Sequence, residues 1–330
     1  MIPTSIFRRR WLSRTAALAA WSTVVVPYGA HSQTYPWKPV RIVVPWAPGG
    51  LVDTGGRLVA DALTRAFGQP APVENIPGAA GTLGADQVAK AAADGHTLLM
   101  GTSSIAIDVA GGRRLPYDPR GDLVPVALVA DTPSIIIVPA ASPIRSVAAL
   151  VQAAKADPGG LSYGTPGIGS PAHLFVELFA QTAGVELLHV PYGRVQAIND
   201  LIGERLSMMI ATAPAALPHI RNGLVRPLAV TSAGRLPALP DVPTVTEDGL
   251  PGYEAGQWLG VFAPAGTPAL VVQRLNSELA RTLATPETVE TLQRRGLEPK
   301  TATPEAFSRL FTADVEKWSK VMVAANIKLQ

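Results

Sequence analysis

There is no cysteine anywhere in the 330 residues. A chain without thiols forms no disulfide, runs no thiol chemistry, builds no thiolate metal site and cannot be anchored through a lipidated cysteine. The phosphate-cradling pattern G-x-x-x-x-G-K-[ST] is missing, as are G-x-G-x-x-G, the nucleophile elbow G-x-S-x-G and the zinc-binding H-E-x-x-H. Histidine is scarce, and His31, His96, His173, His189 and His219 show no metal-ligand spacing. No cofactor, no metal and no catalytic residue is expected. Beyond the first thirty or so residues no apolar run is long enough to cross a membrane. Those first residues read as an export signal over 1–32. Arg8, Arg9, Arg10 and Arg14 form a basic start, Thr15 to Val26 a short apolar run, and Ala30-His31-Ser32 puts small residues before a cleavage at Ser32-Gln33. Arg8-Arg9-Arg10-Trp11-Leu12 is similar to a twin-arginine signal with Ser13 in place of its lysine, so the general secretory and twin-arginine routes both stay open. The expected destination is the periplasm. Removing four arginines and no acid takes the formal charge from +3 to −1, which withdraws the case for a basic nucleic-acid-binding face.

What the chain does have is glycine turns between strands and helices. Val40 to Val44 reads as an inner strand; Pro45 and Pro48 end its ladder, because neither can donate a backbone hydrogen bond. Gly49 and Gly50 let the backbone approach a bound group, and Asp53 reads as the N-cap of a helix reaching Leu63. A helix start at a sheet's carboxyl edge offers free N–H groups and a positive dipole end, which suits an anion. The pattern recurs about 120 residues further on, where Leu161-Ser162-Tyr163 runs into Gly164-Thr165-Pro166-Gly167-Ile168-Gly169-Ser170-Pro171. Ser170 reads as an N-cap and Pro171 as the first helical residue. Two such starts facing each other could hold the two ends of a dianion. Thr97 to Met100 is a strand ending at Gly101-Thr102-Ser103-Ser104, whose hydroxyls suit a cleft wall or a cap equally. Ser207 to Ala211 leads likewise to Thr212. Leu123–Ala130 and Ser134–Val138 read as two strands around Asp131-Thr132-Pro133, and Gln257–Ala263 as a returning strand. Strands alternating with helices predict an α/β protein with mostly parallel sheets. Ser170 with His173 invites a hydrolase reading, but three residues apart at a helix start Ser170 is better used as a cap. Asp53 with Asp131 could be imagined as a carboxylate pair, though caps and turns account for both.

The chain resembles the Bug-type extracytoplasmic solute receptors of tripartite tricarboxylate transporters. The resemblance rests on Tyr35-Pro36 with Lys38 to Pro45, Pro48-Gly49-Gly50 with Asp53 and Arg57, Asn75 with Pro77 to Gly81, and Asp94 to Leu98. It continues through Gly167 to Leu174, Val190-Pro191-Tyr192, Ala229 to Ser232, Leu239 to Val245 and Pro264 to Pro268, covering 35–330 in order. It implies a two-domain periplasmic-binding-protein fold (type II-like), with 33–131 plus 246–330 as one domain and 132–245 as the other. A small organic carboxylate would be held in the cleft between them by Venus-flytrap closure, then delivered to the transporter's membrane components by a monomeric receptor. The implied ligand residues are Trp46, Pro48, Gly49, Gly50 and Asp53 from one loop and Thr165, Gly167, Gly169 and Ser170 from the other. Thr102, Ser103, Tyr192 and Thr212 would be further walls. Two positions depart from the family pattern: Gly193-Arg194 reverses a basic-Gly pair, and Ala211 stands where an acid or amide is common. Arg194 either faces the cleft and pairs with a ligand carboxylate or is a solvated arginine on the first turn of its helix. The alternatives are a periplasmic hydrolase using Ser170, Asp53 or Tyr192, discriminated by turnover, and a ligand sensor in a two-component pathway.

Overall fold

The computed structural model describes residues 34–193 and 197–329, so the signal segment and Arg194 lie outside it. The first apolar run forms β1 (Arg41–Val44) and feeds α1 (Leu51–Phe67). Then come β2 (Val73–Asn75), a 3-10 turn at Ala79–Gly81, α2 (Thr82–Ala89), β3 (Thr97–Thr102) and α3 (Ser104–Ala110). β4 (Leu123–Pro139) is 17 residues long. The middle of the chain is α4 (Val147–Ala156), β5 (Ser162–Thr165), α5 (Pro171–Ala183), β6 (Leu188–Pro191), α6 (Ala197–Ile202), β7 (Met209–Thr212), α7 (Ala213–Arg221) and β8 (Val225–Val230). β9 (Gly256–Pro264), α8 (Ala269–Leu283), α9 (Pro286–Arg294), β10 (Glu298–Pro299) and α10 (Pro304–Ala324) complete it.

β1 lies between β2 and β3, parallel to both. β9 then returns antiparallel between β3 and the first half of β4, from Leu123 opposite Pro264 to Pro133 opposite Gly256. From Ser134 onward β4 pairs instead with β7 and β8, again antiparallel. The expected break at Asp131-Thr132-Pro133 is therefore absent, and one strand serves two sheets. Proline is accommodated by local irregularity: the register with β9 shifts between Pro125 and Ala127. The expectation of mostly parallel sheets is also corrected, because β4 and β9 pair antiparallel with their neighbours. β5 and β6 form a separate parallel pair.

Alternation along the strands sorts the side chains into cores on both faces of each sheet. Ile42, Val44, Leu98 and Met100 pack against α1 and α8, while Val43 and Leu99 join Trp258, Phe262, Phe307 and Phe311 on the other side. In the second half of β4, Ile136 and Val138 meet Tyr163, Phe175, Phe179 and Trp318, while Ile135 and Ile137 meet Leu201, Leu206, Met209 and Leu217. Burial on both faces explains why these strands read as unbroken apolar runs. Helix α10 contributes Phe307, Phe311 and Val315 to one core and Trp318, Val321 and Met322 to another.

Phe307 is fully buried, edge-on to Trp258 at 5.1 Å and against Phe262 at 5.1 Å. It fills the space over Gly260, which has no room for a Cβ. Phe307→Ala is expected to cost ~3–5 kcal/mol, read as a lower urea midpoint with an unchanged slope.

Candidate functional site

Asp53 is buried under the first turn rather than at its start: Gly50 is the N-cap, α1 begins at Leu51, and Asp53 sits in the first helical turn. Its Oδ2 accepts the Gly49 N–H and the Arg57 Nε–H, both at 2.9 Å, and its Oδ1 accepts from Asn75 at 2.9 Å. Asn75 also donates to the Trp46 carbonyl at 3.0 Å, so the loop is tied on both sides. The Arg57 hydrogen bond outweighs burial, with the Gly49 amide and Asn75 assisting, and holds Asp53 down at about 2. Gly49 has φ +85°, a left-handed conformation that glycine adopts without strain. The loop's exposed Pro48, Gly49 and Gly50 stand clear of the cavity that Trp46 and Val52 enter.

That cavity measures about 620 Å³ and is walled by four helix starts. Val52 comes from α1, Ser104 from α3, Gly167 to Ala172 from the entry to α5, and Thr212 and Ala215 from α7. Each follows the carboxyl end of a strand: β1, β3, β5 and β7 respectively. The first turn of any helix carries N–H groups without intrahelical partners, so such a wall offers hydrogen-bond donors without side-chain charge. Thr102 and Ser104 share a 2.6 Å hydrogen bond on the wall. Ser134 of β4 joins them, its buried Oγ having no partner among the described residues.

The Gly167–Ser170 turn is held from within. Ser170 caps α5 by accepting the His173 N–H at 3.4 Å, with Pro171 in the first helical turn. Thr165, fully buried behind the turn, accepts the Gly167 N–H at 3.1 Å. His173 accepts the Gly169 N–H at Nδ1, 3.0 Å away, and turns Nε2 toward Glu177. His173 Nδ1 is thus occupied and Nε2 faces Glu177, both away from the Ser170 hydroxyl.

Two charged residues on the wall escaped sequence reasoning. Asp108 on α3 pairs with Arg113 at 3.0 Å. Burial pushes Asp108 up to about 6, with Arg113 drawing it back only in part. The Arg113 Nε is buried without a partner among the described residues. Ser104 and Asp108, four apart on one helix, share the face turned to the cavity, which is the spacing that would have revealed them. Gln257 of β9 and Ala211 of β7 also line it.

Of the residues expected from the sequence, Trp46, Thr102, Gly167, Gly169, Ser170 and Thr212 come together on this wall. Ser103 is fully buried. Tyr192 packs its ring over Gly164 and donates to Asp200 at 2.8 Å. Arg194 lies outside the described residues. Among those described, no cluster of three or more histidines or carboxylates could hold a metal, and no helix is long and apolar enough to cross a membrane.

Two sheets sharing one long strand, with a cavity walled by helix starts from both, define a periplasmic-binding-protein fold. The chain belongs to the tripartite tricarboxylate transporter receptor family, whose model matches residues 56–327. It is 41% identical over 321 residues to the UPF0065 protein in the tcbD-tcbE intergenic region of Pseudomonas sp. (strain P51), covering 97% of this chain and 95% of that one. Protein BugT of Bordetella pertussis is 35% identical over 324 residues, 97% of this chain and 99% of that one. Among solved structures, an R. palustris protein with adipate is 38% identical with a TM-score of 0.77, covering 89% of this chain and 99% of the other. MatC from Rhodopseudomonas palustris with bound malate is 32% identical with a TM-score of 0.72, covering 87% and 99%.

The Asp53 network carries a pH signature. Its carboxyl lies at about 2 in the folded chain against an ordinary 3.8. The stabilisation is complete above the ordinary value and is lost as pH falls toward 2. Asp53→Ala is expected to lower stability at neutral pH by roughly 1–3 kcal/mol and to flatten the acid limb, measured by urea unfolding between about pH 7 and about pH 2.

Proposed function

We propose that this chain is an exported, periplasmic solute-binding receptor that holds a small organic carboxylate in the 620 Å³ cavity and delivers it to the membrane components of a tripartite tricarboxylate transporter. The observation that carries this reading is the convergence of four helix starts on one cavity whose other walls are largely apolar. Micromolar affinity needs about −8 kcal/mol. Helix termini supply ~1–2 kcal/mol each in partly buried settings, and charge-assisted hydrogen bonds roughly 1.5–3 kcal/mol each, less the cost of ordering the site. No catalytic group is needed to reach that figure. Relatives at 38% and 32% identity solved with adipate and with malate support the same ligand chemistry. In this reading the two halves of β4 belong to lobes that close over the guest, residues 33–131 plus 246–330 in one and 132–245 in the other, with Trp318, Val321 and Met322 of α10 reaching into the core of the second.

Titration calorimetry of the purified protein with adipate and with malate, backed by a thermal-shift screen of organic acids, tests the reading. The expected result is micromolar binding, a raised melting temperature and ligand recovered unchanged. A flat response to every acid, or turnover of any of them, rejects it. Small-angle scattering is expected to show a smaller radius of gyration with ligand bound.

Asp108 adds a second test. Its carboxyl near 6 is ionised at neutral pH and disfavours an anion beside it. Affinity for adipate is therefore expected to rise as pH falls from about 7.5 to about 6, by up to roughly tenfold for each unit by which the guest raises Asp108. Asp108→Asn is expected to remove that slope.

A further inference from the structure

Behind the Gly167–Ser170 turn lies a side-chain cluster that carboxylate binding by itself does not require. Tyr163 on β5, His173 and Glu177 on α5 and His189 on β6 pack as one group. The two imidazoles stack with centroids 3.9 Å apart and planes 12° from parallel, and Tyr163 stacks on His189 at 5.0 Å. The Tyr163 hydroxyl donates to Glu177 Oε1 at 2.6 Å, and His173 Nε2 stands 3.6 Å from the same oxygen. His173 is 5% exposed, so what it bonds to is chosen by the fold rather than by solvent.

A backbone amide can only donate. The Gly169 N–H therefore makes His173 Nδ1 an acceptor and places the ring proton on Nε2, toward the Glu177 carboxylate. Burial works against charge on Glu177, but the nearby His173 Nε2–H and the Tyr163 hydrogen bond prevail and hold its carboxyl below the usual range. Gly167, at the head of the same turn, is held the same way: Thr165 Oγ1 accepts its N–H and contacts His189 Nε2 at 2.6 Å. Burial pushes His189 down to about 4, so that ring is uncharged at neutral pH.

The consequence falls on the donors left over. The N–H groups of Gly167, Gly169, Ser170 and His173 are all committed within the turn. Those of Ile168 and Ala172, both on cavity-lining residues, have no partner among the described residues. We propose that His173 is a positioning residue: by accepting the Gly169 amide it fixes the turn so that the Ile168 and Ala172 amides are presented to a ligand carboxylate. This rests on the carboxylate reading of the cavity. His173 touches no ligand itself and acts through the backbone two residues before the helix.

Three substitutions separate this role from simple filling of the core. In His173→Asn the amide oxygen falls near the position of Nδ1; in His173→Gln it falls near Nε2; His173→Phe keeps the ring and removes the acceptor. Nitrogen-15 NMR of the wild type should show His173 as the Nε2–H tautomer and the Gly169 amide protected from exchange. His173→Asn should keep that protection and stay within about threefold of wild-type affinity for adipate. His173→Gln and His173→Phe should lose the protection and at least about tenfold in affinity. An Nδ1–H tautomer in the wild type, or equal losses in His173→Asn and His173→Gln, overturns the proposal. If the wild type binds no adipate while Gly169 stays protected in it and in His173→Asn alone, the carboxylate reading fails for that acid and the His173 anchor is upheld.

Discussion

One uninterrupted strand decides the rest of the architecture. β4 carries 17 residues, roughly 55 Å at the rise of an extended chain, and changes partners at Pro133 and Ser134 without a turn. Each half buries both of its faces, so each half demands helices above and below it. The four cores are the response to that demand. Ser134, at the change of partner, lines the cavity.

The cavity is polarised mainly by backbone. Its one ion pair, among the described residues, is internal: Arg113 is largely answered by Asp108. Positive potential for a guest therefore comes from helix starts, whose donors are held by the fold and need no reorganisation when an anion arrives. This places unusual weight on turn geometry. Asp53 holds one turn and His173 with Thr165 the other, each by accepting a glycine N–H that would otherwise point elsewhere.

Much of this was legible in the sequence, and the gaps have physical reasons. Ser170 and Pro171 were readable because each has a strong positional preference at a helix start, and the structure uses both as caps do. Asp53 was displaced by three positions because glycine can begin a helix without a side-chain bond, leaving a nearby carboxylate to stabilise the turn from inside. Asp131-Thr132-Pro133 looked like a break because a proline without an N–H normally ends a ladder, yet here it lies opposite Gly256 where the strand changes partners. The antiparallel return of β9 depends on contacts between residues more than a hundred apart, which local pattern does not encode. Asp108 and Arg113 stand in Asp108-Val109-Ala110-Gly111-Gly112-Arg113, where solvated surface charge is the ordinary expectation. The rotation of α3 about its axis turns Asp108 inward, and Arg113, just beyond the helix, follows by pairing with it. The hydroxyl of Tyr192, a wall residue by the family resemblance, donates to Asp200, a partner that the folded chain brings within reach.

Helix α10 threads the cores like a splint, with Phe307 and Phe311 seated in one and Trp318 and Met322 in another. A continuous helix bends only gently, and its 21 residues contain no internal proline at which it could fold. Any swing of one core against the other must flex this rod or drag aromatic rings from their seats. Under the closure proposed above, the travel this rod permits is short and springy, and a guest too bulky to fit within that stroke is refused by stiffness before chemistry is consulted.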